Sequence, residues 1–165
     1  MFKIADKVVY GETGVCLIED ICEREFIKKQ KKMYYVLRPV QSDGNVIYAP
    51  IENRKIAMRK IITKNQAENL IKCIPTIIEN INADEELTMQ DYKNEIISHN
   101  PDKLVELTAR IYNKKKCVRL QKKRLNAIDE KYMKIAENLL FGELAEALEI
   151  NIDEVQAYIS KNIEI

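Results

Sequence analysis

Val8-Val9-Tyr10-Gly11-Glu12-Thr13-Gly14-Val15-Cys16-Leu17-Ile18 decides the first half of the fold. Val8 to Tyr10 is a β-prone run, and Val15 to Ile18 is a second. Gly11 and Gly14 bracket the turn between them, because glycine takes positive φ without a Cβ clash. Outward from this pair the pattern repeats. Lys28-Lys29-Gln30-Lys31-Lys32 reads as a solvated hairpin tip, and Met33-Tyr34-Tyr35-Val36-Leu37 as a third strand. Ser42-Asp43-Gly44-Asn45 reads as a turn in which D-G favours left-handed backbone. Val46-Ile47-Tyr48-Ala49 is a fourth strand closed by Pro50, and Ile56-Ala57-Met58-Arg59 a short fifth. Short strands joined by tight turns predict a small Tudor- or SH3-like β-barrel over residues 1–62.

From about Thr63 the apolar period changes from two residues to helical spacing. Leu70, Ile74, Ile77, Ile78 and Ile81 form one such series, which Pro75 should kink or split. Thr88 caps a helix expected to run to His99, and Asn100-Pro101 starts another that places Leu104, Leu107 and Ile111 on one face. Asp129 begins a helix with a wide stripe of Tyr132, Ile135, Ala136, Leu139, Leu140, Leu144 and Leu148. Asn151 caps a last helix holding Val155 and Ile159. The expected class is therefore α+β: a β-barrel domain at 1–62, then an all-α bundle of about five helices at 63–165.

Composition narrows the function. Of 165 residues, 46% are apolar and 32% charged, which favours a packed core over disorder. No apolar run reaches the roughly 20 residues that cross a bilayer, and the N-terminal stretch lacks a signal-peptide layout, so a cytoplasmic protein is expected. The four cysteines form no C-x-x-C pair and read as buried free thiols; with one histidine, no metal site is expected. His99 reads as a helix-end residue, and Glu85-Glu86 as solvated acids in a connector. There is no phosphate-binding glycine loop and no nucleophile–base set, so neither catalysis nor a cofactor is expected.

The net charge is only +1, so clustering must carry any case for a polyanionic partner. Arg110, Lys114, Lys115, Lys116, Arg119, Lys122, Lys123 and Arg124 fall within 15 residues that hold no acid. Such a run either contacts phosphates or solvates a helix end. Tyr34, Tyr35 and Tyr48 are sheet residues that are either core or interface anchors.

The order of these motifs resembles the CarD-like family of bacterial transcription regulators. Ala5-Asp6-Lys7-Val8-Val9-Tyr10, Gly14-Val15, Ile18 through Ile21, Tyr35-Val36-Leu37, Pro50 with Asn53, and Arg59 follow that family's opening pattern. Ala136-x-x-Leu139-Leu140-x-x-Glu143-Leu144-Ala145-x-Ala147-Leu148 is similar to its penultimate-helix signature. The resemblance implies a first domain that pairs edge to edge with the RNA polymerase β-subunit, with Arg24, Val46, Ile47, Tyr48 and Pro50 at the contact. It also implies a helical domain on promoter DNA, where an apolar plate holds a distorted base step and cations hold phosphates. The DNA-facing set expected here is Met89, Tyr92, Lys93, Lys114, Lys115, Lys116, Arg119, Lys122, Lys123, Arg124 and Lys131. This chain has no tryptophan; Met89 or Leu87 stands where the family places that plate, and Gln90-Asp91 stands where a basic pair is common. Ala5 and Ala57 replace glycines. The competing expectation is a protein–protein adaptor without DNA contact.

Overall fold

The computed structural model describes residues 1–52, 55–82 and 84–163. The chain forms two compact units, Met1–Ile61 and Ile62–Ile165. Asn53 lies outside the described residues.

The first unit is an antiparallel sheet of β1 (Lys7–Tyr10), β2 (Gly14–Ile27), β3 (Gln30–Pro39), β4 (Ile47–Pro50) and β5 (Met58–Lys60). The strand order is β4-β3-β2-β1-β5, a meander whose last strand returns to pair with the first, as in Tudor-like modules. Val8, Tyr10, Cys16, Ile18, Tyr35, Leu37 and Ala49 form its core. Ile18 pairs with Leu37 while Asp20 pairs with Val36, so Glu19 is an extra residue in β2. This bulge changes the alternation, and it lets Ile18 and Ile21 face the same core although they lie three residues apart. Glu19 also bonds to the Arg38 guanidinium on β3.

Several elements differ from the sequence reading. β2 and β3 both extend into the lysine-rich tip, so only Lys28 and Lys29 form the turn there. Gly44 does not adopt positive φ, and residues 40–46 form a longer loop instead of a tight D-G turn. A loop of that length closes the hairpin without left-handed residues. Gly11 and Gly14 do take positive φ, 49° and 88°. Of the cysteines, only Cys16 is buried; Cys22 is half-buried, and Cys73 and Cys117 are exposed.

The second unit holds α1 (Lys64–Glu79), α2 (Met89–Ile97), α3 (Pro101–Leu120), α4 (Ala127–Leu148) and α5 (Ile152–Asn162). Pro75 lies inside α1, which continues to Glu79; Ile78 is exposed, while Ala67, Leu70, Ile71 and Ile74 are buried. α2 stops at Ile97, and His99 follows in the left-handed conformation at φ 50°, buried. α4 starts two residues before Asp129, capped by Asn126. It is the central helix, with Ala136, Leu139, Leu140, Leu144, Ala145 and Leu148 all buried. The signature that resembles the family's penultimate helix is therefore a packing motif. Its Glu143 is 1% exposed and accepts the Ile62 N–H at 2.9 Å, tying the start of the unit to the C-terminal part of α4.

Ala5 sits at φ 72°, where a Cβ costs about 1 kcal/mol. Ala5→Gly should therefore raise stability by roughly that amount in urea unfolding. Gly11→Ala should lower it, because a Cβ there lies 2.9 Å from Ile56 Cγ2 at φ +49°. Equal midpoints for both variants and the parent would contradict this. Burial pushes the Cys16 thiol up to about 11. In the native protein at pH 8, iodoacetamide should label Cys73 and Cys117 and spare Cys16, as read by peptide mass spectrometry.

Candidate interaction surfaces

The residues singled out on the β-unit come together on one edge. β4 pairs with β3 along Tyr34–Pro50, Tyr35–Ala49, Val36–Tyr48 and Leu37–Ile47. Among the described residues its other side has no partner strand. Alternation sends Ala49 and Ile47 inward, where Ile47 packs on the core. Tyr48 and Pro50 lie on the opposite face. The register of β2 on β3 places Arg24 on that same face. Its guanidinium carbon lies 6.0 Å from the centre of the Tyr48 ring.

One residue was missed from sequence. Phe26, 59% exposed, packs edge-on against Tyr34 at 5.1 Å and Tyr48 at 5.2 Å. Together with Arg24 these rings make an aromatic and cationic patch beside the free edge. A partner strand would gain backbone pairing along β4, with side-chain contacts beside it. Val46 precedes β4 and is half-buried. The clue available from sequence was alternation: Arg24 and Phe26 are two apart and share a strand face.

On the helical unit the predicted set divides. Tyr92 is 3% exposed; its ring stacks on Tyr132 at 5.1 Å and its hydroxyl donates to Asp129 Oδ1 at 2.6 Å. Burial, then the bond to the Asp129 carboxylate, pushes the Tyr92 phenol well above its ordinary range. Lys114 Nζ lies 2.7 Å from Asp129 Oδ2, and that carboxylate is 2% exposed. Arg110 bonds to Glu106 at 2.6 Å and Glu85 at 2.8 Å, so Glu85 is not simply solvated. These three positions hold the unit together and present no free charge or ring.

Asp91 also has a structural part. It accepts from the Thr88 N–H and hydroxyl, both at 2.7 Å, and closes a capping box on α2. Those two bonds, the side chain's first, hold its carboxyl below the usual range. The cap persists into mild acid and is lost as pH falls through that lowered value. Met89 is half exposed as the first residue of α2, and Lys93 is exposed one turn on.

The remaining cations converge. Lys115, Arg119, Lys122, Lys123 and Arg124 line one wall of an open groove of about 800 Å³, and Lys131 and Lys134 of α4 line the other. Lys116 lies on the adjacent stripe, 5.9 Å from the Tyr112 ring centre, and Lys131 sits 5.5 Å from that of Tyr132. Glu130 and Glu137 are the acids in the groove wall. The run thus contains six exposed cations, Lys115, Lys116, Arg119, Lys122, Lys123 and Arg124, and no ion pair joins them to an acid among the described residues. Clustered cations on a rigid helix end suit a polyanion such as a phosphate backbone. Among the described residues no cluster of side chains could hold a metal ion, and no helix is long and apolar enough to cross a membrane.

The first unit is thus a Tudor-like β-module with an open edge strand among the described residues. Residues 2–62 match the model of the CarD-like/TRCF RID domain, so this unit is similar to that domain family. It is a family of non-catalytic domains that interact with the RNA polymerase β-subunit.

The Asp129 node makes neighbouring lysines differ. Lys114→Ala leaves a buried carboxylate short of a charge partner and should cost about 2 kcal/mol in urea unfolding. Lys115→Ala, on the solvent side, should stay within about 0.5 kcal/mol of the parent. Similar losses for both would show that Asp129 does not need Lys114.

Proposed function

We propose that this protein is a transcription regulator that docks on the RNA polymerase β-subunit and alters the lifetime of the open promoter complex. The observation that carries the docking is the open edge of β4 within the unit that matches the RID domain. β4 adds its backbone to a strand of the polymerase, while Arg24, Tyr48, Pro50 and Phe26 contact that strand's neighbours. Val46 and Ile47 set the edge: Ile47 anchors it to the core, so its side chain supports the surface without forming it. Promoter DNA meets the groove of Lys115, Lys116, Arg119, Lys122, Lys123, Arg124 and Lys131, with Lys93 and Met89 as a flank on α2. Binding there is salt-dependent and needs no base-specific contact. The protein acts without a cofactor, where the polymerase acts, in the cytoplasm on the nucleoid.

A second reading has its own observation. Two of the positions read as DNA contacts, Lys114 and Tyr92, are engaged inside the unit, as is Arg110 of the same basic run. In this reading the protein is an adaptor on polymerase, and the groove meets an acidic protein surface.

One set of variants separates the two. Arg24→Glu with Tyr48→Glu should reduce capture of core RNA polymerase by at least tenfold and leave the far-UV spectrum unchanged. Retained capture would remove the docking model. Lys115→Glu with Lys123→Glu should keep polymerase capture and change open-complex lifetime on a promoter. An unchanged lifetime, with no low-salt duplex binding by the parent, would favour the adaptor.

A further inference from the structure

The groove between α3 and α4 is not uniform along its length. Arg119, Lys122, Lys123 and Arg124 stand at the end where the two helices are joined. Glu137 stands toward the other end, ten residues after Ala127, a rise of about 15 Å along α4. Val118 and Leu125, both half-buried, and Met133 add apolar surface to the lining. The volume of about 800 Å³ lies within the range of small-molecule sites.

Of the two acids in this lining, only one has a local reason to be there. Glu130 lies in the first turn of α4, where the helix dipole favours a carboxylate. Glu137 lies in mid-helix and is half-buried, and among the described residues no hydrogen bond or ion pair engages it. A phosphate rod uses the cations, is repelled by Glu137 and leaves the apolar lining without a partner. The whole groove suits a smaller ligand: anionic at one end, flat and apolar next, with N–H donors at the other end.

We propose that this groove binds a guanine nucleoside polyphosphate. The phosphates lie on Arg119, Lys122, Lys123 and Arg124. The ring lies on the apolar lining, where Met133 is one turn before Glu137 on α4. Guanine carries a ring N–H beside an amino group, and this pair of donors matches the two oxygens of the Glu137 carboxylate. Adenine offers an acceptor beside one amino group and leaves one carboxylate oxygen facing a lone pair. The nucleotide uses the same cations as duplex DNA, so the two ligands exclude each other and the nucleotide regulates the DNA contact. That competition rests on the DNA reading above; the binding of the nucleotide does not.

The test is calorimetric titration of the full chain with GTP, ATP and inorganic triphosphate, followed by displacement of a fluorescent duplex. GTP should bind about tenfold more tightly than either ATP or triphosphate. Glu137→Gln should bring GTP to the affinity of ATP and leave triphosphate binding no weaker. Lys123→Glu should weaken GTP and triphosphate alike. GTP should displace the duplex from the parent at lower concentration than triphosphate does. If the three ligands bind equally, the groove is a site for any polyanion and the inference is wrong, while the DNA reading stands. Absence of GTP binding has the same meaning. If Glu137→Gln keeps the preference for GTP, Glu137 does not read the base. If GTP binds with the expected preference and the duplex does not bind, the nucleotide site stands and the DNA reading falls.

Discussion

A carboxylate inside a protein must be answered by charge or hydrogen bonds, and Asp129 sets that constraint on the helical unit. Its two oxygens take partners from different helices, the Tyr92 hydroxyl of α2 and the Lys114 ammonium of α3. Its own N–H is capped by Asn126 at 2.8 Å at the start of α4. Three helices thus meet at one buried charge. Removing a partner leaves the charge without compensation, which is why such a node specifies an arrangement more than it adds stability. The placement of the basic groove depends on it. Lys114 is the last residue of α3 drawn inward by a charge, and the cations of the groove wall begin at the next position.

Much of the fold was legible because local chemistry and tertiary structure agree. The paired glycines at positions 11 and 14, the period-two strands, and the caps at Thr88, Asn100 and Asn151 all act within a few residues. What was illegible depends on distant partners. The Glu19 bulge arises because Ile18 and Ile21 must share a core, and that demand comes from β3. Gly44 is free to be left-handed, but the loop it occupies has enough residues to avoid it. Pro75 removes one helical hydrogen bond, and the packing of Ile71 and Ile74 keeps α1 continuous across it.

The interaction surfaces show the same division more sharply. Eight cations within 15 residues read alike in sequence. In three dimensions Arg110 and Lys114 face acids of the unit itself, and the other six face solvent. Nothing in the run marks which are which, because their acidic partners lie as far as 25 residues away. On the β-unit, Arg24 and Tyr48 lie on different strands, and the sheet register brings the guanidinium to 6.0 Å from the ring centre. Phe26 completes the patch and was overlooked because it follows the alternation of a strand longer than its β-prone core. A charged and aromatic face next to an unpaired edge gives backbone affinity and side-chain selectivity at the same place.

Left-handed backbone outside glycine separates structure from use in this chain. Ala5 and Lys122 both occupy that region, at φ 72° and 57°, and each loses stability relative to glycine there. At Ala5 the methyl group offers nothing to a partner, and the conformation serves the turn in which Ala5 N–H donates to the Ile18 carbonyl and Ile18 N–H donates to the Asp6 carbonyl. At Lys122 the side chain stands in the groove wall with Lys123 and Arg124. Glycine would close the same helix end with less strain and remove a cation from the tip. The same backbone strain thus falls once on an inert methyl group and once on a cation of the groove wall.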